Sequence, residues 1–126
     1  MDIAVSHEQG RVPVTVFHIK GDLVEEEVLK TRAQEMFENG TRHLLLDLRG
    51  VPFISSGGLR ALHATYMLLR TESSQQVSSG LRDGTYKSGH LKLLKPSERA
   101  MKVLQMAGFD MFLEVHSNLK QAVASF

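Results

Sequence analysis

Leu44-Leu45-Leu46-Asp47-Leu48-Arg49-Gly50-Val51-Pro52-Phe53-Ile54-Ser55-Ser56-Gly57-Gly58-Leu59 is the stretch whose reading decides the fold. Leu44 to Leu48 is short and almost uniformly apolar, unlike a half-exposed strand. It predicts a central, parallel strand in a sheet covered on both faces. A short loop follows, then two hydroxyls and two glycines where a helix is due. The helix begins near Gly57 and carries Leu59, Leu62, Tyr66 and Leu69 on a core-facing side. The stretch offers no partnered base, no cluster of metal ligands and no long phosphate-cradling loop. It fits a place to put, or not put, a single phosphate.

Working outward, the chain opens with two strand-like runs, Ile3 to Ser6 and Val12 to Lys20, joined through His7-Glu8-Gln9-Gly10-Arg11. This is a hairpin, with Pro13 pushing its first residues toward an edge. Gly21-Asp22 ends the second strand. From about Val24 to Asn39, Leu29, Ala33, Met36 and Phe37 make the apolar stripe of a helix stopped by Asn39-Gly40. Beyond the helix at Gly57, Leu91 to Leu94 reads as a fourth strand. Pro96-Ser97 starts a helix with Ala100, Val103, Leu104 and Ala107 inward, and Gly108 follows its end. Phe112 to Val115 reads as a short strand, Ser117 as an N-cap, and Leu119, Ala122, Val123 and Phe126 as the stripe of a closing helix. Strands alternating with helices after a hairpin predict an α/β domain with a mixed sheet and right-handed crossovers. Residues 72–90 are much longer than the roughly 2–6 residues usual for such a connection. Their serines, glycines and lack of apolar period predict an exposed, mobile loop, in which Val77, Leu81 and Tyr86 are apolar groups for a partner to cover.

At 126 residues, one domain spanning residues 1–126 with one core is expected. A net charge of +1 gives bulk electrostatics no grip on nucleic acid or a membrane surface, so a partner must be selected by local shape. The first residues show no basic segment followed by an apolar stretch, and no apolar run approaches the ~18 residues that span a bilayer, so a cytoplasmic protein is expected. With no cysteine, the chain has neither disulfides nor thiolate chemistry. The six histidines lack the helical pairing of a metal site, and no cofactor is implied. His63 borders the inward face of its helix and reads as a boundary residue rather than a base. A hydrolase built on Ser56 would need Gly-x-Ser-x-Gly, and Ile54-Ser55-Ser56-Gly57-Gly58 lacks the first glycine. No catalysis is expected.

The hairpin, Ile19-Lys20-Gly21-Asp22-Leu23, the run from Leu44 to Leu59, Lys95-Pro96-Ser97 and Met106-Ala107-Gly108-Phe109 together resemble the STAS domain of anti-sigma-factor antagonists. The resemblance covers the chain apart from residues 72–90. It implies a single STAS-like α/β domain. Its partners would be an anti-sigma factor that is also a serine/threonine kinase, and a phosphatase. It further implies that the kinase phosphorylates a serine at the start of the second helix, which breaks the complex, and that the phosphatase restores it. Matched residue by residue, the acceptor falls on Ser56; the contact surface is expected around it, on Gly21, Asp22, Leu23, Ser55, Gly57, Gly58 and Arg60 and the exposed side of the second helix. Ser55 and Val24 stand where the family usually has acids, and Gly57 where it has a hydroxyl.

Physical chemistry supports such a switch independently. A helix N-terminus carries unsatisfied N–H groups and about half a positive charge, so a phosphate there leaves the fold intact. At a docking surface the same group adds roughly −1.5 to −2 charges to be desolvated. The glycines, without Cβ atoms, would let a partner's backbone or a nucleotide approach. Either Ser55 or Ser56 can also serve simply as the helix cap, worth ~1 kcal/mol. The competing expectation is a diverged, non-phosphorylated STAS scaffold serving a transporter or a larger signalling assembly.

Overall fold

The opening strands, β1 (Asp2–Gln9) and β2 (Pro13–Lys20), pair antiparallel with Gln9 opposite Pro13 in a computed structural model that describes every residue from Met1 to Phe126. Pro13 takes the first position of its strand, where a missing N–H costs no ladder bond. Gly21, with φ of 99°, turns the chain out of β2 in a conformation that a side chain would strain. Helix α1 (Glu26–Glu38) follows and ends at Asn39 and the left-handed Gly40. Strand β3 (Leu44–Gly50) then lies parallel to β2 in the middle of the sheet, as its apolar run predicts.

Helix α2 (Ser56–Leu69) leads into residues 72–90, where the expected loop is in fact a helix, α3 (Ser74–Asp83). Composition concealed it because the apolar stripe is reduced to Val77 and Leu81. What organises α3 is its ends. Ser73 and Gln76 form a reciprocal capping box, and Gly84 closes the helix in the left-handed region. Tyr86 packs on Gly80, where an added Cβ would lie 2.6 Å from the Tyr86 Cβ. Its hydroxyl bonds Tyr66 of α2 at 2.7 Å and donates to Glu72 at 2.9 Å. Burial, then these two partners, push the Tyr86 phenol well above its ordinary value, so the hydroxyl stays a donor. Val77 is buried, and Tyr86 is occupied by the chain's own groups rather than held out for a partner.

Strand β4 (Leu91–Leu94), α4 (Glu98–Met106), β5 (Val115–His116) and α5 (Leu119–Ala124) complete the chain. Two boundaries move from their predicted places. Phe109–Met111 forms a single 3-10 turn, leaving only Val115–His116 to pair with Leu93 and Leu94. Asn118, not Ser117, caps α5, with its side-chain oxygen accepting from the Gln121 N–H at 2.9 Å.

The sheet order β1-β2-β3-β4-β5 steps in one direction. Right-handed crossovers between β2, β3, β4 and β5 therefore put the connecting helices on one face. There α1, α2 and α4 bury Leu29, Ala33, Ala61, Leu62 and Leu104 against Phe17, Ile19, Leu46, Leu48 and Leu93. On the other face α5 brings Ala122, Val123 and Phe126 onto Val14, Val16, Leu45 and Leu94. Lys92 is buried beneath α5, where its ammonium donates to the Ser125 carbonyl at 2.8 Å and pairs with Glu114 at 3.2 Å. No helix is long and apolar enough to cross a membrane.

Candidate functional site at the start of helix α2

The backbone reaches α2 from the loop after β3, with Ser55 in extended conformation at the N-cap. Its hydroxyl oxygen accepts from the Gly58 N–H at 3.2 Å and donates its proton to the Val24 carbonyl at 3.2 Å. Ser55 is thus fully used as a cap that also ties the helix to the segment after β2. Ser56, the first helical residue, is exposed and its hydroxyl makes no hydrogen bond. The first turn of α2 contains no acid, so the partial positive charge of the helix end is not offset from within the helix.

Residues 23–24 and 53–55 run side by side here. The Leu23 N–H donates to the Phe53 carbonyl at 2.9 Å, and the Ser55 N–H to the Leu23 carbonyl at 3.0 Å. This crossing explains the two glycines. A Cβ on Gly57 would sit 2.3 Å from the Val24 carbonyl oxygen, and one on Gly58 2.1 Å from that of Leu23. Both glycines are buried, as is Leu23. The expectation that Gly57 and Gly58 leave room for a partner's backbone or a nucleotide is therefore corrected: the chain's own backbone takes that room.

Of the predicted residues, Leu23, Ser55, Gly57 and Gly58 meet at the crossing, while Gly21 is bonded instead to the Gly50 carbonyl and Arg60 to Glu26. Asp22, Ser56 and Arg60 are exposed, and Gly21 and Ser55 are half-buried. Leu23, Gly57 and Gly58 lie underneath. Val24, where the resemblance led to the expectation of an acid, presents an exposed apolar side chain. Arg60 reaches from α2 to Glu26 of α1, Nε to carboxylate at 3.0 Å.

Beside that ion pair lies an open depression of about 430 Å³ lined by Glu26, Leu59, Arg60, His63, Ala64 and Phe109. Sequence reasoning missed Glu26 and Phe109 as neighbours of Arg60, because the 3-10 turn that presents Phe109 lies between the segments read as helix and strand. Its one local signal is Gly108, whose left-handed φ of 80° turns the chain back toward α2 after α4. His63 is exposed on the rim. No three His, Asp or Glu side chains come together as a metal site. Ser56 is thus an exposed hydroxyl on an open surface with no base bonded to it.

No curated protein sequence matches this chain. Among solved structures it is similar to an anti-sigma factor antagonist from Mycobacterium paratuberculosis, at 19% identity and a TM-score of 0.70, covering 98% of this chain and 93% of the other. It is also similar to the anti-sigma factor antagonist SpoIIAA in its unphosphorylated form, at 16% identity, TM-score 0.58, covering 94% and 93%. SpoIIAA of Bacillus in its phosphorylated form matches at 18% identity, TM-score 0.59, covering 95% and 96%. At such identities the likeness is one of fold. The model of the STAS domain matches residues 5–122, nearly the whole chain, and this protein therefore belongs to the STAS domain family.

Proposed function

We propose that this chain is a non-catalytic anti-sigma-factor antagonist, which binds an anti-sigma factor with serine kinase activity and is released from it by phosphorylation of Ser56. The observation that carries the reading is the division of labour at the start of α2. Ser55 caps the helix, so Ser56 is an exposed hydroxyl with no structural duty, at a helix end that favours an anion. A phosphate on Ser56 leaves the cap bonds in place, and the fold survives both states. Two solved neighbours are one protein, SpoIIAA, in unphosphorylated and phosphorylated forms, which is the pair of states the reading requires.

The contact surface comprises Asp22, Ser56 and Arg60, with Gly21 and Ser55 at its edge and Leu23, Gly57 and Gly58 shaping it from below. The adjoining depression takes an apolar side chain of the partner against Leu59 and Phe109. The protein works in the cytoplasm, without contacting nucleic acid or inserting into a membrane, and a phosphatase resets Ser56. Val24 and Ser55, which replace family acids, leave the surface less negative and shift the choice of kinase rather than the acceptor.

Titration of any co-encoded anti-sigma kinase with wild-type chain and with Ser56→Glu tests this. The variant is expected to lose about 2–5 kcal/mol of binding, as for a charge buried unpaired at an interface. Equal binding by the two would remove Ser56 from the contact surface and favour the scaffold serving a transporter or a larger signalling assembly.

A further inference from the structure

The sheet face opposite α1, α2 and α4 is covered by α5 only in part. Ile3, Val5, Phe17 and Ile19 pack toward the three helices, so the alternate residues Ser6, His18 and, on β3, Asp47 point to the other face. There they form a chain of hydrogen bonds across three strands. Ser6 Oγ lies 2.9 Å from His18 Nε2, and His18 Nδ1 lies 2.8 Å from Asp47 Oδ2. Asp47 is buried, and Arg49 grips it through Nε and Nη2, the latter at 2.8 Å. Burial alone would raise the Asp47 carboxyl, but hydrogen bonds from Arg49 and His18 outweigh it and hold the group down to about 2.

An ionised Asp47 can only accept, so His18 Nδ1 carries the proton. In the neutral ring Nε2 is then the acceptor, and the Ser6 hydroxyl donates to it. Nucleophile, base and orienting acid are therefore in the order and at the distances that activate a serine. Local backbone geometry supports the placement. The register of β2 against β3 slips between His18 and Lys20, and Gly50 fits against this irregularity because a Cβ there would lie 2.8 Å from the Ile19 carbonyl oxygen. A depression of about 450 Å³ is lined by His18, Ile19, Lys20, Asp47, Arg49 and Gly50, with Ser6 outside its lining but bonded to His18. Arg49 is paired with Asp47, and Lys20, opposite Asp2 across the hairpin, makes no ion pair, so the Lys20 ammonium is the rim's free charge.

We propose that Ser6 is an acylation site, reacting once with small activated esters that carry a negative charge. Ser6 Oγ bonds to the acyl carbon, its proton passes to His18 Nε2, and the ester's C–O bond breaks. The leaving alcohol takes the proton from His18, so that the acyl group ends on Ser6 and the imidazole is again neutral. This site is on the opposite side of the sheet from the helix layer that carries Ser56 and is independent of it.

The test incubates the full chain with the para-nitrophenyl monoester of glutaric acid and, separately, with para-nitrophenyl acetate, and follows intact mass and peptide mapping. The expected result is a single adduct on Ser6, formed faster from the anionic ester. It should be absent in Ser6→Ala and slowed about 10²-fold in His18→Gln, the scale of a lost general base. Thermal melts of both variants establish that they are folded. Labelling confined to lysines, or Ser6 labelling unaffected by a folded His18→Gln, would overturn the proposal. Equal rates with the two esters would overturn the anionic substrate class.

Discussion

The helices α2 and α4 begin in nearly the same way, and the difference between them defines the candidate site. Each follows a parallel strand and each has a serine N-cap, Ser55 or Ser97. Each serine accepts from the N–H three residues on, at 3.2 Å from Gly58 and 3.1 Å from Ala100. Each also donates to a carbonyl of another segment at 3.2 Å, Val24 for one and Val51 for the other. The next residue differs. In α4 it is Glu98, a fixed negative charge at the positive end of the helix; in α2 it is the exposed Ser56. Phosphorylation of Ser56 would give α2 the charge that α4 has permanently. Both starts are exposed and each has a depression nearby, that of α4 lined by Ser97 and Glu98 and that of α2 by Leu59 and Arg60, so what sets α2 apart is the missing charge.

The two helices differ again at the third helical position, where the largest effect is expected. Gly58 lies under the Leu23 carbonyl, while Ala100 is buried with its methyl group in the core. Gly58→Ala should destabilise the chain by about 3 kcal/mol, since backbone rather than a flexible side chain must move. Ala100→Gly should cost only about 1 kcal/mol beyond its lost packing. Urea unfolding of the pair measures this, and equal costs would mean that the crossing of residues 23–24 over α2 is not tight.

The strands feeding the two helices differ next. Asp47 of β3 is level with Leu94 of β4. The Asp47 carboxyl is held at about 2 against an ordinary 3.8. A depressed carboxyl stabilises the fold above the unfolded value and loses that contribution as pH falls through the folded one. About 2 kcal/mol should therefore disappear between about pH 4 and pH 2. Asp47→Asn should remove this part of the acid dependence in unfolding curves recorded across that range.

The caps come third. Ser55→Ala and Ser97→Ala should each cost about 1 kcal/mol, and Ser56→Ala less than about 0.5, because only the first two lose hydrogen bonds. A cost at Ser56 equal to that at Ser55 would undo the division of labour. The smallest effect belongs to the charge itself. Ser56→Glu should raise stability by about 0.5 kcal/mol in low salt, an increment that fades as salt is added, and Glu98→Gln should lower it by a similar amount.

The comparison also shows what the sequence makes legible. The central strand, the hairpin and the three principal helices follow from apolar period, because a buried face leaves a pattern in the residues that fill it. The serine pair and Arg60 are legible for a related reason, since caps and helix starts are local. Which serine caps is not legible, as it depends on Val24 coming within reach from another segment. The same crossing turns Gly57 and Gly58 from apparent openings into filled space. Helix α3 escapes notice because Val77 and Leu81 make a weak stripe, and its anchor is a tyrosine pair, Tyr66 and Tyr86, separated by 20 residues. The Ser6, His18 and Asp47 alignment depends on strand register, which no local pattern displays.

The central claim is that Ser55 holds the helix and Ser56 is free to carry the phosphate. It is tested most directly by treating wild type, Ser55→Ala and Ser56→Ala with any co-encoded anti-sigma kinase and ATP and measuring intact mass. Wild type and Ser55→Ala should each gain one phosphate and Ser56→Ala none. A phosphate retained by Ser56→Ala, or no phosphate on the wild-type chain, would contradict it.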